Sequence, residues 1–288
     1  MRRPWRVVPA ALPAALRLVL LGAALCLAAP AETTGAAALR FLRDDAEVTR
    51  LDLDALRRGC GEETITVDDP YYERRVRYLA CPLRAVMRLG FGQDGAAHAG
   101  DDVVFHALDG YAKPTSAARV EEDGAYVAFA DADRPGGFAP LGRKGVDPGP
   151  FYLVWTKPAQ RDTHTYPWPY QLDAIEVTDL LRRYPHTVPR DVARDSKAWA
   201  GFGLFRGECI ACHAINGEGG TIGPDLNVPR SIVEYRPVEQ VKQYIRNPAS
   251  FRYGNMPSHE YLTDRDLDSL IAYFQVMKTQ KHDPGVTR

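Results

Sequence analysis

The spacing of apolar residues changes character once along the body of the chain. Between residues 32 and 185 they come in short runs rich in Val, Tyr and Phe, bounded by Gly, Pro and Asp: DDVVFHALDGYA, AYVAFADAD, PFYLVWTKP and QLDAIEVTDL. Runs of that length and composition predict strands. LDLDALRRG and CPLRAVMRLG predict two short helices among them, and the aromatic-proline stretch TYPWPY predicts a rigid surface or packing turn, with a ligand-binding lip as the alternative. From residue 197 onward the spacing is helical. Ser196 is placed to cap KAWAGFGLF, with Trp199, Phe202 and Phe205 three residues apart on one face. Pro237 opens VEQVKQYIRN, whose apolar face is Val238, Val241, Tyr244 and Ile245, and Pro248 stops it. Thr263 and Asp266 resemble a capping box ahead of the clearest stripe, Leu267, Leu270, Ile271, Phe274 and Met277. HTVPRDVARDS lies between these two regions, polar and without periodicity. The pattern therefore predicts a multidomain chain: a β-rich α+β domain over 32–185, a linker over 186–196, and an all-α domain over 197–288.

The N-terminus follows a different logic. Four arginines precede position 18, LVLLGAALCLAA is an apolar run over 18–29, and Ala29-Pro30-Ala31 offers a small-residue cleavage site. That order is a secretory signal over residues 1–31 and predicts a periplasmic protein. The competing reading, an uncleaved anchor, uses the apolar residues Leu12 to Leu16 upstream of Arg17. The apolar run is short for a bilayer span, and no later segment spans a membrane, so no membrane span is expected after cleavage. Net charge is −1, which gives no basic face for nucleic acid.

The candidate chemistry sits at the helical end, in CIACH over residues 209–213. Composition alone yields Cys-x-x-Cys-His about 0.002 times per chain of this length. Three chemistries use it. Structural zinc needs two further ligands at short spacing, and no cysteine follows Cys212. A redox dithiol follows a strand, whereas the residues before Cys209 read as helix. Covalent haem uses Cys209 and Cys212 as thioether anchors and His213 as the proximal iron ligand. A thioether is a common sixth ligand opposite histidine, and only two methionines follow His213. Met277 belongs to the apolar stripe of the last helix. Met256, in the irregular RYGNMPSHEYLT, is the distal candidate, with His259 as its rival and His282 in the polar tail.

FRGECIACHAINGEGGTIGPDL and IRNPASFRYGNMPSHEYLTDRDLDSLIAYF resemble class I cytochrome c domains over roughly residues 197–280. The resemblance implies one covalent haem c, electron transfer, Met256 as iron ligand, and Pro224 packed on a proximal histidine whose ring is oriented by a backbone carbonyl. It implies as partner a redox protein or respiratory complex.

The first domain resembles, more distantly, the sulfite-oxidase-fold molybdopterin-binding domains over about residues 50–178, on YLACPLRAVMRLG, VVFHALDGYA, GPFYLVWTKP and YPWPYQLDAIEV. In that family a cysteine thiolate binds molybdenum, and Cys60 is the nearest candidate. Glu62 and Glu63 follow it, which suits an anionic cofactor poorly, and extended basic segments are missing. The domain is expected to lack the molybdenum centre. For Cys60 and Cys81 a disulfide, free buried thiols and metal or cofactor ligation stay open, with His98, His106, His164 and His186 as the histidines available to a metal. Three functions compete. The first is a periplasmic single-electron carrier whose first domain is a docking or structural module. The second is a fused molybdenum-dependent oxidoreductase passing electrons from a small substrate to the haem. The third is a sensor or assembly module in which Cys60 and Cys81 switch between dithiol and disulfide.

Overall fold

The short apolar runs fold into two sheets. In the computed structural model, residues 37–92, 101–134, 136–142, 144–254 and 256–285 are described. The signal segment, Cys26 and His98 lie outside them. β1 (Ala38–Arg43) and β2 (Ala46–Asp52) form a hairpin that leads into helix α1 (Leu53–Cys60), capped by the Asp52 carboxylate. β3 (Glu63–Asp69) and β4 (Arg74–Pro82) follow, then helix α2 (Leu83–Phe91). β5 (Asp102–Ala107), β6 (Ala112–Ser116), the single turn α3 (Ala117–Val120), β7 (Ala125–Asp131), β8 (Tyr152–Trp155) and β9 (Leu172–Thr178) complete the set. One sheet runs β2-β1-β9-β5-β6 and the other β3-β4-β7-β8. All pairings are antiparallel except β1 with β9, where Phe41 faces Ile175 in parallel register.

The four strands before residue 82 are not among those predicted. Their apolar positions are interleaved with charged residues, in β3 because one face is wet: it alternates exposed residues with buried Ile65, Val67 and Asp69. TYPWPY is a packing turn, as expected. Trp168 is buried and donates its indole N–H to the Gln160 carbonyl, and the Trp155 indole donates to Pro167 in the same turn.

Two buried carboxylates tie this region together. Asp69 is fully buried and accepts the Tyr78 and Tyr152 hydroxyls at 2.9 and 3.0 Å and the backbone N–H groups of Tyr71 and Tyr72 at 2.8 and 3.0 Å. Burial and the adjacent carboxylate push both phenols upward, so they remain donors. Glu176, also fully buried, meets His106 Nε2 at 2.8 Å, Arg183 Nε at 3.1 Å and the Asp45 N–H at 2.8 Å. Burial alone raises its carboxyl, but these partners outweigh it and hold Glu176 below the ordinary carboxylate range.

Cys60 and Cys81 form a disulfide that joins the end of α1 to β4. The bond decides among the three states left open by the sequence. Both sulfurs are consumed, so neither is a free thiol or a thiolate ligand. It closes a loop across a sequence separation of 21, which on the chain-entropy account stabilises by about 3 kcal/mol. Serine at both positions is therefore expected to lower unfolding stability by about that amount in a urea titration.

The helical region begins after the short turn α4 (Leu180–Arg183). α5 (Lys197–Leu204) is capped by Ser196 Oγ on the Trp199 N–H, and it continues into a five-residue π turn, Phe205–Cys209. A four-residue helix not predicted from the sequence, α6 (Ile232–Tyr235), precedes α7 (Val238–Arg246). α8 (Asp264–Met277) starts at the predicted capping box, with Thr263 and Asp266 bonded reciprocally. α5 crosses α8 at Gly201, where a Cβ would lie 1.9 Å from the Ser269 carbonyl oxygen. Only glycine permits that approach.

The polar stretch 186–196 joins the two regions without standing free of them. Thr187 is buried, its carbonyl accepts the Tyr273 hydroxyl at 2.7 Å, and Arg190 exchanges two backbone hydrogen bonds with the Gln280 side chain. Residues Ala36–Arg288 consequently form one compact unit. β5 is the shared wall. Val103 and Phe105 point into the core of the sheets, whereas Val104 between them joins Phe202, Phe205 and Tyr273 in the core of the helices. Ala112, Leu180 and Tyr184 enter that second core as well. Among the described residues no helix is long and apolar enough to cross a membrane.

Candidate functional site

The π turn at the end of α5 delivers CIACH into a tight loop. The His213 and Cys212 N–H groups both donate to the Cys209 carbonyl, at 2.9 and 3.1 Å. The glycine-rich stretch that follows folds back over this loop: Gly220 N–H donates to Ile210 at 2.8 Å and Gly223 N–H to Cys212 at 2.7 Å. Cys209 and Cys212 are not bonded to each other. Burial pushes the Cys209 thiol up to about 12 and raises Cys212 too, so neither has the depressed pKa of a reactive redox dithiol.

His213 is held by one bond. Its Nδ1 lies 2.8 Å from the Pro224 carbonyl oxygen. A carbonyl only accepts, so Nδ1 carries the proton and Nε2 keeps its lone pair. Burial lowers the His213 pKa, opposed by that carbonyl and by Asp225, and the ring is neutral at pH 7. Gly223 leaves the imidazole its place, since a Cβ there would lie 2.3 Å from Cε1.

Cys209, Cys212, His213, Pro224 and Met256 line a single cavity of about 720 Å³ between the CIACH loop, α7 and the segment before α8. Its other walls include Leu226, Val241, Ile245 and Phe274. That volume lies within the range of about 300–1,000 Å³ usual for ligand and cofactor sites. His259 reaches the same cavity, buried, with its Nδ1 unpartnered among the described residues. Met277 is buried in the helical core, and His282 stacks on His186 at 3.7 Å, so neither borders the cavity.

The remaining histidines are engaged elsewhere. His106 is paired with Glu176, His186 with Glu218, and His164 lies 3.0 Å from the Tyr261 hydroxyl. Among the described residues no group of three or more His, Cys, Asp or Glu side chains is placed to hold a metal ion, which leaves the zinc reading of CIACH without its ligands. Two soft sulfurs for attachment, one neutral imidazole, one thioether and apolar walls do fit a haem.

Some contributors carry no sequence signal. The β-rich region reaches the CIACH loop through Ala112 N–H on the Ala211 carbonyl at 2.9 Å, through Thr221 N–H on the Gly110 carbonyl at 2.9 Å, and through the Lys113 ammonium on Gly207. Glu208, just before Cys209, accepts the Tyr261 hydroxyl. None of these pairs has a motif or a spacing, because each joins residues far apart in the chain.

Part of the chain is similar to known proteins. A stretch of 80 residues is 32% identical to cytochrome c oxidase subunit 2 of Alkalihalophilus pseudofirmus, covering 25% of this chain. The chain spans under a quarter of that relative's length, 23%. The cytochrome c family model matches residues 198–278, and the helical region is accordingly a cytochrome c domain, a unit that transfers electrons through haem.

Proposed function

We propose that the protein is a periplasmic c-type cytochrome carrying one electron at a time through a single covalently bound haem. One observation carries this reading: both cysteine sulfurs, a neutral imidazole and a thioether border the same cavity. Haem supplies a one-electron couple between Fe(III) and Fe(II). Cys209 and Cys212 would anchor it as thioethers, His213 Nε2 and the Met256 thioether would ligate its iron, and the Pro224 carbonyl holds the His213 ring. The apolar part of the wall would limit solvent access to the haem, which bears on its redox potential. A redox protein or respiratory complex is the partner.

The secretory pattern at residues 1–31 and the Cys60–Cys81 disulfide support a periplasmic location, since such bonds persist in oxidising compartments. The β-rich region is a docking or structural module with a sulfite-oxidase-like fold that does without molybdenum. Cys60, nearest in the sequence to that family's thiolate ligand, has its sulfur in the disulfide. The test is the metal content of protein matured in a periplasm able to supply both cofactors. One iron per chain, covalently held, and no molybdenum is the expected result. Near-equal molybdenum would make the protein a fused oxidoreductase instead, and iron-free protein would remove the cytochrome reading.

A further inference from the structure

Lys113 belongs to β6 in the β-rich region, yet its side chain ends beside the turn that delivers Cys209. It is 8% exposed, and its ammonium donates to the carbonyl of Gly207, within the π turn Phe205–Cys209. The neighbouring Ala112 N–H is bonded to Ala211, between the two cysteines. Two bonds from adjacent residues of one strand therefore fix this cation against the segment that carries both sulfurs. Among the described residues no carboxylate forms an ion pair with it. Glu208, the acid within the turn, accepts the Tyr261 hydroxyl instead. Burial lowers the Lys113 pKa, and the charge of Glu208 acts in the opposite sense.

A buried ammonium with a single carbonyl acceptor is costly to keep. Its only polar contact is with the haem-attachment turn, where a methionine or leucine would pack without that cost. A fixed positive charge in a poorly solvated place stabilises any site nearby that gains an electron, and salt screens it little. We propose that Lys113 is the residue through which the β-rich region sets the reduction potential of the haem site, its buried charge beside Cys209 and Cys212 favouring the electron-loaded form. The inference rests on the covalent-haem reading above. The step it acts on is the gain of one electron from an external donor, with no bond made or broken in the protein. It gives the first domain a part in the chemistry, since a freely tethered docking module would have no fixed charge at this position.

The test is a redox titration of the full haem-loaded chain, followed spectroscopically, for wild type, Lys113→Met, Lys113→Gln and Lys113→Arg. The methionine and glutamine variants remove the charge with different side-chain chemistry, and arginine retains it. At a fixed ambient potential the two neutral variants are expected to show an Fe(II)/Fe(III) ratio about tenfold lower than wild type, which is a midpoint about 59 mV lower. Arginine should restore most of the difference, and the difference should persist at high salt because the charge is buried. Wild-type midpoints in both neutral variants would overturn the proposal. So would an arginine variant as low as the neutral ones, which would make the effect one of shape, or loss of haem loading in all three variants, which would make Lys113 a structural strut. Failure of the cytochrome reading itself is distinct, because wild-type protein would then carry no covalent iron and no titration would begin.

Discussion

Protein with serine at both Cys209 and Cys212 is expected to carry no covalent haem, a change from one haem per chain to none. The sulfurs have no other bonding role: they are not joined to each other, and burial keeps both as thiols. A serine hydroxyl fills nearly the same volume but forms no thioether. The loop itself should persist, because its shape rests on backbone bonds, from His213 N–H to Cys209 and from Gly223 N–H to Cys212. Haem staining after denaturing electrophoresis separates covalent from bound pigment. The double variant should be blank, and each single variant should retain a weaker band from one thioether. A full-strength band in the double variant would show that the attachment lies elsewhere.

Replacing Met256 with alanine should have the second-largest effect. A thioether opposite histidine favours Fe(II), so its removal is expected to lower the reduced fraction at fixed potential about a hundredfold, roughly 120 mV. Exogenous imidazole should then bind at millimolar concentration, where wild type is inert. His259 supplies the control, since it borders the same cavity three residues away. If Met256 is the ligand, His259→Ala leaves the potential within about 20 mV of wild type, a roughly twofold change in ratio. The reverse pattern, an unchanged Met256→Ala and a shifted His259→Ala, would assign the distal position to histidine.

What the sequence made visible was local. CIACH, the capping box at Thr263 and the stripe from Leu267 to Met277 each fall within one turn or one helix, where spacing and chemistry coincide. α1 and α2 were legible for the same reason. The hairpin β1–β2 and the strands β3 and β4 were not; β2 and β3, mostly exposed or with one wet face, carry at least as many charged as apolar residues. Candidate ligands could be collected by type, but their meeting in one cavity depends on a loop and two helices spread over some forty residues. The contributions of Lys113, Gly110 and Ala112 lay beyond sequence reading altogether. A lysine in a strand usually marks solvent, and nothing nearby in the chain announces that this one faces Gly207. Gly223 looked like one glycine among several in a loop, and its necessity emerges only from the imidazole beside it.

The strand β5 has one side chain in a different core from its two neighbours. A strand cannot leave one core while remaining in the other, so the two regions are expected to melt in a single event, and two separate transitions in calorimetry would contradict this. Cutting the chain near residue 196 would strip Val104, Ala112, Leu180 and Tyr184 from the helical core and leave Phe202, Phe205 and Tyr273 facing water. Truncation experiments intended to isolate the electron carrier would then report on a damaged one. Any substitution that loosens the sheets, however far from the cavity, should also register as faster loss of the bound cofactor's native environment.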